Sequence, residues 1–185
     1  MFSMFLKFLF VILITLNISH ASADNKKNYL INQTTINIIE KNFPTYKLVG
    51  EAKYTYLIWD IYDAKLISET GNFEKDKFAL ILKYNRDISK EDVVEETIKQ
   101  IQLQKQMNKQ QIKELDTLLN KTFREIKIND SFVGIKNKDT AVFYFNKEKV
   151  LETHDIEFID LFFNIWLRKD SQNPDFTRTL LGQKN

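Results

Sequence analysis

The sequence contains no cysteine and very little glycine or proline. The absence of cysteine excludes disulfide bonds and a lipid attached through a lipobox cysteine. A protein exported without disulfides must be held together by its core alone, which favours a bacterial periplasmic protein over a small secreted domain. Only 4 glycines occur among 185 residues, and the chain has no glycine-rich phosphate loop and no G-x-S-x-G or H-E-x-x-H motif.

An excess of charge of either sign is also lacking. The 27 basic and 25 acidic residues give a net charge of +2, so no strong field is available to recruit nucleic acid or anionic lipid. Proteins that recognise phosphate commonly use arginine, because its planar guanidinium forms paired hydrogen bonds. Most of the basic residues here are lysines, and the arginines are Arg86, Arg124, Arg168 and Arg178. We therefore predict no nucleic-acid partner.

Residues that commonly bind metals are few as well. The chain has 2 histidines, His20 and His154, and a lone histidine is a poor metal site once the N-terminal segment is removed. The neighbouring carboxylates of Glu95 and Glu96 are interpreted as exposed residues of a helix. We predict no metal site, no cofactor and no identifiable catalytic residue.

The first 23 residues have the pattern of a secretory signal peptide. Lys7 supplies positive charge, FLFVILITL (residues 8–16) is apolar, and Ala21-Ser22-Ala23 precede Asp24. An apolar helix of this length reaches about 14 Å, less than the roughly 30 Å hydrocarbon core of a bilayer. We predict cleavage after Ala23, a periplasmic or secreted mature protein and no stable membrane span after cleavage. An uncleaved membrane anchor is the alternative.

The rest of the chain can form a substantial core, since 43% of all residues are hydrophobic and 13% aromatic. Residues 24–46 are a lead-in, either a short helix or an extended segment. Alternating β-branched and aromatic residues then predict strands in residues 48–57, 59–68 and 77–85. At the end of the first of these, Tyr54, Tyr56 and the following Ile58 would share one face.

Helical spacing of apolar residues follows two predicted N-caps, Ser89 and Asn108. Further strands are predicted in residues 131–137, 141–146 and 149–153. A helix capped by Asp155 comes next, then a final helix that Asp175 caps and Gly182 ends. This order predicts an α+β domain in residues 47–183 with a mainly antiparallel sheet.

Four segments, in order, resemble signatures of the bacterial chalcone isomerase-like family. They are VGEAKYTYLIWDIYDAKL (residues 49–66), FALILKYNRDIS (78–89), FYFNKEKV (143–150) and FFNIWLRKDSQNPDFTRTLLG (162–182). The resemblance covers roughly residues 48–182. It implies the chalcone isomerase-like open-faced β-sandwich, an antiparallel sheet with a helical layer on one face.

The catalytic groups of the plant enzyme have few counterparts here. In that family an arginine and a threonine on early strands, with a tyrosine and an asparagine from the helical region, organise the reacting phenolate and ketone. No arginine precedes Arg86, the position of the threonine falls near Tyr62 or Asp60, and no tyrosine lies between residues 90 and 123. Lys53 is the nearest substitute for the arginine. The resemblance therefore favours a protein without chalcone isomerase activity.

The candidate ligand-binding residues are Arg86, Tyr54, Tyr56, Trp59 and Tyr62. Arg86, at a junction of strand and helix, would bind a carboxylate or phenolate, or else form an ion pair with Asp87. The aromatic residues would line a cleft with polar tips, or else fill the layer between sheet and helices. Trp166, in the apolar tail, is interpreted as a core residue.

Three functions remain open. We favour an exported, non-catalytic protein that binds a small apolar ligand with an acidic or phenolic group, similar to a fatty acid, because a related branch of the resembled fold binds fatty acids. The alternatives are an isomerase or intramolecular lyase with an unknown substrate, and a structural or partner-binding periplasmic protein without a ligand cleft. The oligomeric state is left open.

Overall fold

The computed structural model describes residues 32–183, so the predicted signal peptide lies outside the described residues. The helices are α1 (Gln33–Asn42), α2 (Lys90–Gln102), α3 (Lys109–Thr122), α4 (Ile156–Leu167) and α5 (Pro174–Leu180). The strands are β1 (Lys47–Tyr56), β2 (Trp59–Ser68), β3 (Lys77–Tyr84), β4 (Ser131–Asn137), β5 (Thr140–Phe145) and β6 (Glu148–Thr153).

The strands form one 6-stranded sheet in the order β1-β2-β3-β4-β5-β6, with every neighbouring pair antiparallel. Helices α2 and α3 lie between β3 and β4 along the chain, and α4 and α5 follow the last strand. The predicted α+β class and antiparallel sheet are confirmed. Strands that follow one another along the chain are also neighbours in the sheet, which is the usual arrangement.

A layer of four helices, α2 to α5, covers one face of the sheet around an aromatic core. Phe143 stacks on Phe163 with ring centroids 5.6 Å apart and meets Phe162 edge-on at 4.9 Å. Phe78 meets Phe163 edge-on at 4.8 Å. All four rings are buried. Pairs of this geometry add to the burial of apolar area, so α4 is fixed firmly against the centre of the sheet.

The opposite face is partly covered by α1, which belongs to the predicted lead-in. Ile39 of α1 and the following Phe43 are each 1% exposed and pack with buried residues of the central strands, including Ile67, Ile81 and Ile135. Asn32 caps α1 by accepting a hydrogen bond from the backbone of Thr35. The lead-in is therefore helical over these residues.

Local sequence signals located the starts of three helices. Ser89, Asn108 and Asp155 cap α2, α3 and α4, as predicted. The prediction for α5 was wrong by two residues, because Pro174 is its first residue and Asn173 holds the N-cap position that Asp175 was expected to fill. Proline suits the first helical position, since its missing N–H has no partner there.

The predicted alternation along β1 breaks near its end. A register shift separates Tyr54 from Thr55, and β1 ends at Tyr56. Leu57 adopts a left-handed φ of 55°, so Leu57 and Ile58 form the turn into β2 instead of continuing the strand.

Within residues 32–183, no helix is both long and apolar enough to span a bilayer.

Candidate ligand cleft

A cleft of about 880 Å³ lies between the β1–β3 side of the sheet and helices α2, α4 and α5. Its sheet wall includes Tyr54, Ile61, Tyr62, Leu82 and Tyr84, and its helical walls include Val93, Ile165, Trp166 and Phe176. Pockets of this size and apolar character accommodate small organic ligands.

Aromatic rings form the sheet side of the cleft. Tyr54 and Tyr62 stack with centroids 5.0 Å apart, and Tyr84 meets Tyr62 edge-on at 5.9 Å. Phe176 of α5 packs edge-on against Tyr54 at 6.0 Å and against Tyr62 at 6.3 Å. These contacts hold the rings in place, so the wall has a defined shape.

The C-terminal tail contributes both a wall and a polar contact. The indole Nε1 of Trp166 donates a hydrogen bond to the Tyr62 hydroxyl at 3.0 Å. The hydroxyl of Thr177 donates to the backbone carbonyl of Trp166 at 2.9 Å and lies 2.7 Å from the Ser171 hydroxyl. This network joins the end of α4 to α5, so the position of Trp166 depends on the tail that follows it.

The tyrosines of the cleft are held in their neutral form. Burial raises the pKa of Tyr62 and of Tyr84 well above the ordinary value of 10.0. The pKa of Tyr54 is also raised, first by burial and then by the nearby negative charge of Glu96. Phenols with raised pKa values donate and accept hydrogen bonds but are poor general bases near neutral pH.

Helix α2 gives the cleft an acidic rim through Asp92, Glu95 and Glu96. Glu96 accepts hydrogen bonds from Lys99 at 3.2 Å and from Gln100 at 2.7 Å. Gln100 also donates to Gln172 of the tail at 2.8 Å, which ties α2 to the segment between α4 and α5. Negative charge on this rim disfavours a ligand anion on the α2 side of the cleft.

Arg86 occupies a different part of the cleft wall, beyond the end of β3. Its expected partner, Asp87, instead accepts hydrogen bonds from the backbone of Ile128 at 2.8 Å and from Lys127 at 3.1 Å. The Arg86 guanidinium stacks on the Trp59 ring, 4.1 Å from its centroid. Among the described residues Arg86 has no ion pair or hydrogen bond, so its five N–H groups are available to a ligand.

The structure brings four of the five predicted site residues, Tyr54, Tyr56, Tyr62 and Arg86, to the cleft. Trp59 does not line it and instead stacks on the Arg86 guanidinium. Their role in binding stays a prediction. Lys53, the possible substitute for the catalytic arginine, also lies outside the cleft and pairs with Asp60 at 2.8 Å.

Sequence reasoning missed three aromatic residues of the cleft: Tyr84, Trp166 and Phe176. Tyr84 could have been found from strand register, because it pairs directly with Tyr62 across β2 and β3. Phe176 and Trp166 had no such signal, since their position depends on how the tail folds back. The core interpretation of this tail fits Phe162 and Phe163, whereas Trp166 is only partly buried and faces the cleft.

The residue types of the cleft fit an organic ligand better than an inorganic one. Within residues 32–183, no cluster of three or more histidine, aspartate or glutamate side chains could hold a metal ion. The cleft instead combines apolar rings, hydroxyls and one guanidinium with the charged rim of α2, which suits a molecule with an apolar body and a polar end.

Comparison with known proteins identifies the fold. No protein-family model matches the sequence. The chain is 27% identical over 143 residues to an uncharacterised protein of Haemophilus influenzae, covering 76% of this chain and 70% of that protein. The crystal structure of a fatty-acid-binding protein from Arabidopsis thaliana superposes with a TM-score of 0.55 and 9% identity, covering 75% of this chain and 87% of the plant chain.

The chain has a chalcone isomerase-like fold. The sheet order and the helical layer agree with the architecture that the resemblance implied, and α1 adds a partial cover on the second face. At 9% identity, the likeness to the plant protein concerns the fold alone. Function has to be argued from the cleft itself.

Proposed function

We propose that this protein is an exported, non-catalytic member of the bacterial chalcone isomerase-like family that binds a small apolar ligand with an acidic group, similar to a fatty acid. One observation carries the proposal: Arg86 has no anionic partner among the described residues and lines a cleft with aromatic walls. A partly buried guanidinium without a carboxylate partner is unusual, because burying charge is costly unless a partner compensates it.

The cleft restricts how such a ligand would lie. The rings of Tyr54, Tyr62 and Phe176 favour an apolar chain between the sheet and α5. The carboxylates of α2 repel an anion, so the acidic end would lie at Arg86, the cleft cation that has no anionic partner. Charge-assisted bonds from arginine to a carboxylate are short and often paired, which would fix the orientation of the ligand. A fatty-acid-binding neighbour of the same fold is consistent with this chemistry.

A matched pair of ligands tests the role of Arg86. Calorimetric titration with dodecanoic acid and with dodecan-1-ol compares two ligands that have the same alkyl chain, one with a carboxylate and one without. We expect Arg86→Ala to weaken acid binding by roughly tenfold, equivalent to about 1.4 kcal/mol, and to change alcohol binding by less than about twofold.

The control variant is Arg178→Ala, because Arg178 pairs with Asp175 and lies outside the cleft lining. It should bind both ligands as the unmodified protein does. If Arg86→Ala binds the acid normally, the guanidinium is not the anion site. Native mass spectrometry of protein purified from its own cells would then identify the ligand that accompanies it.

The isomerase alternative has one observation in its favour, the cluster of tyrosine hydroxyls from Tyr54, Tyr62 and Tyr84. Hydroxyl donors in a dry cleft could stabilise a developing enolate. The alternative of a protein without any ligand cleft required a filled layer between sheet and helices, and a cleft of about 880 Å³ does not favour it.

Export is the remaining part of the proposal and rests on residues 1–23. Intact-mass measurement on protein recovered from the periplasm or medium should give a chain that begins at Asp24. A full-length chain confined to the membrane fraction would contradict the predicted cleavage and favour the anchor alternative.

A further inference from the structure

The turn between β1 and β2 carries four consecutive, large, exposed apolar residues. We define the hairpin tip as Tyr56, Leu57, Ile58 and Trp59, whose exposed fractions are 60%, 80%, 82% and 50%. Single exposed apolar side chains are ordinary, whereas a contiguous group marks a surface that meets something other than water. Neither the fold nor the ligand cleft requires this exposure.

The hairpin tip also projects beyond the rest of the sheet. The last pair between β2 and β3 is Tyr62 with Tyr84, whereas β1 and β2 remain paired as far as Tyr56 and Trp59. The Asn85 backbone still donates a hydrogen bond to the Ile61 carbonyl at 2.9 Å, so two residues of β2, Trp59 and Asp60, extend past the last backbone contact, a distance of roughly 7 Å at the rise of a strand. Amphipathic segments that bind membranes enter the boundary between headgroups and acyl chains to about 5–10 Å.

The order of side chains along the hairpin tip matches the layers of a bilayer surface. Leu57 and Ile58 stand at the apex, and Tyr56 and Trp59 flank them one residue behind. Tyrosine and tryptophan favour the headgroup level, because each has an apolar ring with a polar end. Behind them Asp60 binds Lys53 at 2.8 Å and Thr55 at 2.9 Å, so charge begins where the apolar tip ends.

We propose that the hairpin tip docks this protein on a lipid bilayer by inserting Leu57 and Ile58, with Tyr56 and Trp59 at headgroup level. A second copy of the chain is a weaker candidate, because a standard protein interface uses about 20–30 residues a side and the tip offers four. The net charge of +2 gives no strong attraction to anionic lipid, so the insertion is driven by apolar burial and extends to neutral bilayers.

The hairpin tip adjoins one end of the ligand cleft, so docking would affect how a ligand enters. Tyr56 belongs to the tip and also lines the cleft, and Arg86 lines the cleft while stacking on Trp59. Docking would therefore bring this end of the cleft to the lipid surface, from which an acyl-chain ligand could enter. This consequence rests on the proposed function, whereas docking itself does not.

Vesicle flotation tests the docking surface directly. The full chain, in the form recovered from cells, is mixed with large unilamellar vesicles of phosphatidylcholine. We expect Leu57→Ser with Ile58→Ser to reduce vesicle partitioning by about tenfold or more. The matched control is Leu103→Ser with Ile156→Ser, which removes two other exposed apolar side chains, 51% and 53% exposed, and should bind normally.

A second measurement reports on the tip itself and is independent of any contribution from residues 1–23. The chain has 2 tryptophans, so Trp59→Phe isolates the signal of Trp59 by subtraction. Brominated phosphatidylcholine should quench this signal. Absence of quenching, or equal flotation of the tip variant and the control, would overturn the proposal. Self-association without vesicles that only the tip variant abolishes would assign the tip to a second copy instead. If the unmodified protein floats with vesicles but does not bind dodecanoic acid, docking stands and only the proposed function is contradicted.

Discussion

The indole of Trp166 and the hydroxyl of Tyr62 share a hydrogen bond of 3.0 Å between residues 104 positions apart. The bond links the end of α4 to β2 and so joins the helical wall of the cleft to its sheet wall. Because Tyr62 also stacks on Tyr54, one contact joins the tail to two strands of the sheet. The tail therefore shapes the cleft as well as covering the core.

Replacing Trp166 by alanine should lower the free energy of unfolding by about 3 kcal/mol, the low end of the range for a large aromatic residue. The low end applies because the ring is only partly buried. Urea denaturation measures the change. Trp59→Ala is the control, since Trp59 is 50% exposed and should lose less than about 1 kcal/mol. Equal losses in the two variants would show that the Trp166 contact contributes little.

Much of the fold was predictable because its signals are local. The side chains of Ser89 and Asn108 each accept a hydrogen bond from the backbone N–H three residues later, which is the pattern of a helix N-cap. Alternation located the strands to within a few residues, and the succession of strands and helices predicted a mainly antiparallel sheet. The hairpin tip escaped prediction because Leu57 takes a left-handed backbone that nothing in its residue type requires.

The cleft was less predictable because its walls meet through non-local packing. Tyr54 and Tyr62 were recognised as candidates from one hairpin, whereas Phe176 reaches them only after α5 folds onto β1. The lack of an ion pair at Arg86 could not be predicted either. Asp87 follows Arg86 in the sequence and was its expected partner, but in the structure Asp87 pairs with Lys127.

Gly50 controls how closely α5 approaches β1. A Cβ at Gly50 would collide with the backbone carbonyls of Thr179 and Leu180, which cannot move without shifting the helix. We expect Gly50→Ala to cost about 3 kcal/mol, at the upper end for overpacking. Gly71→Ala is the comparison, because its φ of 87° imposes backbone strain of about 1 kcal/mol while the nearest atom, the Cβ of Lys47, lies 3.1 Å away and does not collide as the carbonyls at Gly50 do.

Thermal denaturation of the two glycine variants provides the measurement. Since α5 carries Phe176, the Gly50 variant should also bind dodecanoic acid more weakly than the Gly71 variant. If both variants lose the same stability and bind equally, the close approach of α5 to β1 does not matter for either property.

The buried tyrosines predict a loss of stability at high pH. The pKa values of Tyr62 and Tyr84 are raised by burial, so above pH 10 the unfolded chain loses protons that the folded protein retains. The unfolded state is then favoured as pH rises, and each tyrosine contributes a loss of about 1.4 kcal/mol by pH 11. Below pH 10 both states hold the protons, and this contribution is absent.

Urea titrations at pH 8 and pH 11 measure this loss. Tyr84→Phe should lose about 1.4 kcal/mol less between the two pH values than the unmodified protein, because phenylalanine has no proton to release. Tyr56→Phe is the control, since Tyr56 is 60% exposed, and it should behave as the unmodified protein does. An identical loss in all three proteins would contradict the prediction.

Ring closure of a chalcone tests the isomerase alternative, and we expect no rate above the spontaneous one. Catalysis needs a cation for the reacting phenolate beside hydroxyl donors for the enolate, and one lost donor costs about 10²–10³ in rate. Lys53, the nearest substitute for the early-strand arginine, lies outside the cleft and pairs with Asp60. The Tyr62 hydroxyl already accepts a hydrogen bond from Trp166, and burial keeps its proton in place.

The assay follows loss of chalcone absorbance with purified protein and a heat-inactivated control, and chiral separation of the flavanone decides the result. Spontaneous closure gives a racemate, so an excess of one enantiomer would establish catalysis and contradict the non-catalytic proposal. In that event Arg86→Ala and Tyr84→Phe separate the roles. Loss of selectivity in Arg86→Ala alone would make the guanidinium the phenolate site, and loss in both would require the tyrosine hydroxyl as a donor to the enolate.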